Sequence, residues 1–270
     1  MDLPEADLPE TGLPEYVPGH GLLAGKTVVV TAAAGAGIGS AVVRRCLEEG
    51  ALAVVFGDVH ERRLAEAGEA LGKEFGSDRV ATVVCDVTVE EQVGQLLDAA
   101  EEFGGVDVMV NNAGLGGTSS LLEMTDAEWA RVLDVTLTGT FRCVRAAGRR
   151  MVRAGRRGVI VNNASVVGWR AQEGQAHYAA AKAGVMALTR CAALDLAGHG
   201  IRVNAVSPSL ALHPFLEKVT SAELLERLTE REAFGRAAEP WEVANVVVFL
   251  ASGYASYLTG EVVSVSSQHP

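Results

Sequence analysis

Tyr178 and Lys182 stand four residues apart in a stretch, residues 175–197, that reads as a helix, so both side chains leave one face. A lysine ammonium a few ångströms from a phenol favours the phenolate. It lowers a pKa that, at about 10, is otherwise too high for base work near neutrality. Ser165 lies upstream, just past a strand-like run at 158–162, where its hydroxyl can reach the same point. Alone, a tyrosine and a lysine on one helix are an ordinary half-buried pair; a second constellation changes the weighing. Thr31-Ala32-Ala33-Ala34-Gly35-Ala36-Gly37-Ile38-Gly39 separates a β-branched run from a helical pattern. Glycines in such a turn let the backbone approach a pyrophosphate, and the helix start offers free N–H groups and a positive dipole end. Asp58 closes the next strand-like run. Its carboxylate suits both ribose hydroxyls of an adenosine and repels a phosphate on the ribose 2′ oxygen.

The elements that must position these groups alternate. Strand-like runs at 26–32, 51–57, 80–85, 106–110, 158–162, 201–207 and 261–265 are separated by helical patterns, among them 38–49, 61–75, 175–197 and 241–251. Thr88-Val89-Glu90-Glu91 and Thr125-Asp126-Ala127-Glu128 have the spacing of capping boxes. Strands apolar on both faces in this alternation predict an α/β fold, a single doubly wound parallel sheet with helices on each side. The expected domain runs from 21 to 270. Residues 1–20 read as a flexible, acidic, proline-rich tail carrying a DLPE repeat, the alternative being an arm that docks on a neighbouring subunit. Residues 209–235 interrupt the alternation after a strand's carboxyl end and read as a lid.

Composition narrows the function classes. Hydrophobic residues at 49% and charged residues at 21% exclude disorder as the general state. A net charge of −11 with no basic run longer than two residues argues against nucleic acid and anionic membrane as partners. The uncharged stretch 27–43 carries three glycines and is too short for a comfortable membrane span. Cys46, Cys85, Cys143 and Cys191 lie far apart without a CxxC pair, so neither a metal site nor a disulfide framework is expected. Buried thiols in a reducing compartment, with the cytoplasm as the address, is the reading.

With Asp86 in Cys85-Asp86-Val87, Asn111-Asn112-Ala113-Gly114, Ser165, the Tyr178/Lys182 pair and Arg202-Val203-Asn204 before Pro208, the chain resembles the short-chain dehydrogenases/reductases from about residue 21 to 267. The resemblance implies a Rossmann-like domain, assembled as a homotetramer or dimer, that moves hydride between a nicotinamide and a carbonyl or secondary alcohol. It makes Tyr178 the acid/base and Ser165 the holder of the substrate oxygen. Lys182 becomes the group that binds the nicotinamide ribose and lowers the Tyr178 pKa. Thr31, Gly35, Gly37, Ile38, Gly39, Asp58, Asp86, Val87, Asn112, Ala113 and Gly114 would line the cofactor, with Asp86 meeting the adenine and Pro208 and Ala211 at the nicotinamide end. Asp58 makes NAD the expected cofactor over NADP.

This sequence also departs from the family. Its glycine turn is one residue longer, with Ala32 where the first glycine usually falls. Thr136 replaces the family's fourth catalytic residue, an asparagine that holds a water linking the lysine to solvent, so a relay in altered form is expected through Thr136. Ser209 and His213 replace the usual glycine and threonine after Pro208. These departures, with residues 162–172 and 217–225, resemble a subgroup of actinobacterial reductases of the steroid C/D-ring pathway. That implies a hydroxylated bicyclic acyl-CoA thioester as substrate. Trp169, Arg170 and His213 are its candidate contacts; for Trp169 and Arg170, packing and a surface charge weigh equally. His177, one residue from Tyr178, points about 100° away on the helix and reads as structural. One rival is a 3-oxoacyl-[acyl-carrier-protein] reductase, which would prefer a 2′-phosphorylated cofactor. The other is a catalytically silent NAD-binding regulatory protein, which would have lost Tyr178 or Lys182.

Overall fold

Short valine-rich runs make the sheet: β1 (Thr27–Thr31), β2 (Ala53–Asp58), β3 (Val80–Val84), β4 (Val108–Asn111), β5 (Val159–Asn163), β6 (Arg202–Pro208) and β7 (Val262–Val265). The computed structural model describes residues 13–213, 216 and 222–268. The strands pair in parallel in the order β3-β2-β1-β4-β5-β6-β7. β1 therefore lies between β2 and β4, where the winding reverses and open α/β sheets bind ligands at the strands' carboxyl ends. This is the architecture the alternation predicts.

The connecting helices are α1 (Ile38–Glu48), α2 (Glu61–Phe75), α3 (Glu90–Ala99), α4 (Asp126–Leu133), α5 (Gly139–Arg153), α6 (Ala176–Ala197), α7 (Ala222–Thr229) and α8 (Pro240–Ala251). Successive strand residues feed opposite layers. Val28, Val30, Val54 and Phe56 pack with Val42, Val43, Val243 and Val247 of α1 and α8. Val29, Val55, Met109 and Ile160 pack with Leu96, Val144, Met151 and Ala193 of α3, α5 and α6. Truncating one of the large members, such as Ile160→Ala, costs on the order of 2–5 kcal/mol.

Several local expectations are corrected. The outer strand β3 is half-exposed rather than buried on both faces, because no further strand covers it. Thr88 makes no capping box: its hydroxyl turns back to donate to Asp86 Oδ1 at 2.7 Å, and α3 starts after Val89 without a side-chain cap. Thr125 and Glu128 do form theirs. α5 carries no start signal in the sequence because it continues from α4 through a π-helical turn, Asp134–Thr138. Three cysteines are buried, but Cys191 is exposed on the outer face of α6.

Ordered contacts begin before the expected boundary at 21. The Tyr16 ring packs edge-on against Trp241 at 5.2 Å. The buried Arg45 guanidinium donates to the Val17 carbonyl and pairs with Glu49 at 2.7 Å, while Glu49 accepts the His20 and Leu22 N–H groups. Residues 16–20 are thus strapped to α1. The DLPE repeat lies outside the described residues. Among those described, no helix is long and apolar enough to cross a membrane.

Candidate active site

Because all seven strands run the same way, the ends of β1, β2, β4, β5 and β6 bring Thr31, Asp58, Asn112, Ser165 and Pro208 to one edge of the sheet. The dinucleotide turn is held there by its own backbone. Thr31 is buried, and its hydroxyl accepts the N–H groups of Asn112 and Ala113 at 3.0 Å each, so it ties β1 to the segment after β4 instead of facing a ligand. Ala32 takes the left-handed conformation, φ 53°, that a glycine would adopt without strain. Its carbonyl accepts Asn112 Nδ2 at 2.9 Å. Gly39 fits against this pair: a β-carbon there would lie 2.4 Å from the Ala32 oxygen and 2.5 Å from Asn112 Nδ2. The extra residue therefore leaves Gly39 as the close-packing glycine. Gly35 borders open space, and Gly37 caps α1 with no side-chain hydrogen bond to its first N–H groups. Ile38 packs its side chain into the core below.

Asp58 is buried at the end of β2, one oxygen accepting the Ala34 N–H at 3.1 Å and the other the His60 N–H at 3.0 Å. Each carboxylate oxygen keeps a further lone pair, so the group can still accept ribose hydroxyls. Asp86 Oδ1 takes the Thr88 N–H and hydroxyl, which leaves Oδ2 for an adenine amino group. Val87 turns its side chain into the core against Gly139, so only its main chain is left for a ligand. A bare helix start, a glycine bordering open space and a carboxylate beyond it fit a dinucleotide.

Ser165, Tyr178 and Lys182, the residues expected to react, come together at this edge. Tyr178 and Lys182 share a face of α6, with Lys182 Nζ 5.6 Å from the centre of the Tyr178 ring. The Ser165 hydroxyl lies close enough to the Tyr178 phenol to favour its ionised form. Burial pushes the phenol up to about 12, against the pull of the Ser165 hydroxyl, so the expected lowering of the Tyr178 pKa by Lys182 is not met. Burial also pushes Lys182 down to about 7. Lys182 donates to the Asn163 carbonyl, and Gly114 lies so close that a β-carbon would sit 3.4 Å from Nζ. Gly116 and Gly117 lie flat against Tyr178 and His177, and His177 Nδ1 accepts the Tyr178 N–H at 2.9 Å, a structural role. Sequence reasoning passed over these glycines, although three in four residues after Asn112-Ala113 was the available signal.

The expectation that Thr136 passes protons through a water is not met by its side chain. Thr136 is fully buried in the π-helical turn. Its hydroxyl accepts the Leu115 N–H at 3.0 Å and donates to the Leu115 carbonyl at 3.1 Å, so its single proton is committed. It clamps the glycine segment that lies over Lys182 and Tyr178.

On the lid side, Trp169 is exposed beside the Ser165 loop, and Arg170 donates to the Gln268 side chain. Gln268 and Ser267 in turn donate to the buried Glu232, at 2.7 and 2.6 Å, which binds residues 267–268 to the far root of the expected lid. Ala211 bridges to Ala238, pinning the near root just beyond Pro208. His213 rests its ring on the dinucleotide turn, 3.6 Å from a β-carbon built on Gly37, which puts it on the cofactor's side. Residues 214, 215 and 217–221 of the lid lie outside those described. Among the described residues no cluster of metal-ligating side chains occurs.

Comparison with known proteins agrees with this geometry. Residues 32–267 match the family described as Enoyl-(Acyl carrier protein) reductase. The chain is 63% identical over 258 residues, 95% of its length and 98% of the relative's, to a (5R,7aS)-5-hydroxy-7a-methyl-1-oxo-2,3,5,6,7,7a-hexahydro-1H-indene-carboxyl-CoA reductase of Mycobacterium tuberculosis. It is 43% identical over 248 residues, 89% of its length and 94% of the relative's, to a cis-4-hydroxycyclohexanecarboxylate dehydrogenase of Sinomonas cyclohexanicum. The crystal structure of a short-chain dehydrogenase from Mycobacterium smegmatis superposes with a TM-score of 0.85 at 56% identity, covering 96% of this chain and 99% of that one. The chain belongs to the short-chain dehydrogenase/reductase family, whose members are oxidoreductases that use a nicotinamide cofactor.

Proposed function

We propose that the protein reduces a ketone on a bicyclic, ring-bearing acyl-CoA thioester to the secondary alcohol, with NADH, and runs the reverse reaction with NAD. The Ser165 hydroxyl beside the Tyr178 phenol, with Lys182 on the same helix face as that phenol, carries the reaction type. A nicotinamide, when bound, supplies or takes the hydride. Ser165 donates to the substrate oxygen and fixes it beside the phenol. Tyr178 gives that oxygen its proton in reduction and recovers it in oxidation. A phenol pushed up to about 12 is neutral throughout the physiological range, which suits the reductive direction. Lys182, as the ammonium, stabilises the phenolate left behind. Thr31, Asn112, Ala113 and Thr136 position the two loops over the site, and Gly35, Gly37, Asp58, Asp86 and the Val87 main chain receive the cofactor.

Asp58 supports NAD over NADP: a buried carboxylate at the ribose end repels a 2′-phosphate at close range. The substrate class rests on the mycobacterial relative at 63% identity, and the cyclohexanecarboxylate enzyme points to a ring as well. Trp169 and the lid would wall the ring, and Arg170, tied to Gln268, shapes the pocket rather than holding a free anion site. Exposed Tyr254 and Tyr257 beside β7, with Trp129 and Phe141 on α4 and α5, suit a homo-oligomer. Four free thiols suit the cytoplasm.

A panel of bicyclic oxo- and hydroxyacyl-CoA thioesters, 3-oxoacyl thioesters and short ketones, each with NAD(H) and NADP(H), tests the assignment at 340 nm. The bicyclic thioesters with NAD(H) are expected to give the highest kcat/KM. Equal efficiency on 3-oxoacyl thioesters with NADPH would favour the carrier-protein reading and contradict this one.

A further inference from the structure

Asn163, the last residue of β5, has no role in the mechanism above, yet it touches both halves of the site. Its main-chain carbonyl accepts Lys182 Nζ. Its side chain donates from Nδ2 to Asn112 Oδ1 at 3.0 Å, and Asn112 donates onward to the carbonyl of the strained Ala32. The amide orientations follow from the chain itself. The Ala32 carbonyl only accepts, so Nδ2 of Asn112 must face it; Asn112 Oδ1 then faces Asn163, and Nδ2 of Asn163 must face that oxygen. What remains is Asn163 Oδ1, buried and without a partner. An unpaired buried acceptor is destabilising, so this asparagine is a poor choice for stability alone. An apolar side chain of its size would avoid that cost.

We propose that Asn163 is a positioning residue, which holds the Lys182 ammonium in register with Tyr178 by tethering its own carbonyl, through Asn112, to the dinucleotide turn. The inference rests on the proposed function and deepens it. Around Lys182 the described groups are Tyr178 on its own helix, the Asn163 carbonyl from β5, Gly114 from the segment after β4 and the Thr136 methyl group near Gly114. His177 lies on the preceding turn, against Gly117. No charged partner contributes to the Lys182 shift, which burial alone produces. Its placement beside the phenol therefore rests on the neutral Asn163 carbonyl.

The test uses Asn163→Leu, close in size, and Asn163→Ala, which leaves room if leucine is not accommodated. Both keep the carbonyl and cut the tether. Ketone reduction with NADH is followed against pH, together with the urea midpoint. Lys182, at about 7, loses its proton long before the phenol at about 12, so the reductive rate falls as the ammonium is lost, and a carbonyl that accepts from the ammonium keeps that fall at higher pH. Cutting the tether is expected to move the falling limb down by about one pH unit and lower kcat about tenfold, a change of about 1.4 kcal/mol in each case. The urea midpoint stays equal or rises in the leucine variant. An unmoved limb, with rate losses that track a lowered urea midpoint in both variants, overturns the proposal and leaves Asn163 a packing residue. Wild-type protein that reduces no ketone with NADH would instead remove the functional reading on which the proposal stands.

Discussion

The two halves of the sheet's carboxyl edge treat their polar groups in opposite ways. At the ends of β1 and β2, the Thr31 hydroxyl and both Asp58 oxygens are met by main-chain N–H groups. At the end of β5 and on α6, Tyr178 and Lys182 are pushed away from their ordinary titration ranges by burial, and Asn163 Oδ1 has no partner. The first half, the proposed cofactor receptor, is held in shape by the chain's own hydrogen bonds. The second half keeps groups that burial makes costly, as expected where a proton must move. Under the proposed function binding and chemistry fall to different halves, and substitutions can be chosen to separate them.

Tyr178→Phe gives the largest expected effect. It removes the transferable proton and leaves the receptor half untouched, so turnover should fall about 10²–10⁴-fold while NADH affinity, read by fluorescence titration, changes less than about twofold. Comparable losses in affinity and rate would show that the halves are not separable. Asp58→Ala acts on the other side. It should narrow the NAD-over-NADP preference by about tenfold, mainly through KM, because the like-charge repulsion is gone. It also strands the Ala34 and His60 N–H groups, so a small drop in the urea midpoint should accompany it. A preference that survives intact would place cofactor selection elsewhere in the turn.

Thr136→Ala sharpens the boundary between the halves. It frees the Leu115 N–H and carbonyl in a half-buried segment, which costs about 1–3 kcal/mol of stability for each group left unsatisfied. A several-fold loss of kcat is expected, with no shift in its pH profile. Thr136→Asn, which offers both a donor and an acceptor, should restore most of the rate. A shifted profile in Thr136→Ala would return this residue to the proton path.

The fold was legible because each strand and helix writes its own period into the chain, and the glycine turn and the Tyr178/Lys182 pair are local in sequence. The receptor's detailed wiring was not. Thr31 reads as a ligand-facing residue in its turn, and only its contact with Asn112 and Ala113, some 80 residues away, turns it inward. Thr136 meets Leu115 across a π-helical turn that no capping residue announces. Arg45 and Glu49 look like a surface i, i+4 pair until residues 16–20 cover them. Asn163 is invisible for the same reason: its meaning lies in a tether between two strand ends and a helix. The short resemblance motifs point to the groups proposed to react, whereas the contacts that hold them connect segments far apart in the chain.

The account centres on one group, Tyr178, that exchanges the proton at the reacting oxygen. Rates of ketone reduction with NADH and of alcohol oxidation with NAD, measured on the same substrate pair across pH, test this most directly. Reduction needs the phenol and oxidation the phenolate. The reductive rate should therefore fall, and the oxidative rate rise, with increasing pH, and both limbs should be lost in Tyr178→Phe. Limbs of unchanged position in Tyr178→Phe, or two rates that rise together with pH, would contradict the assignment.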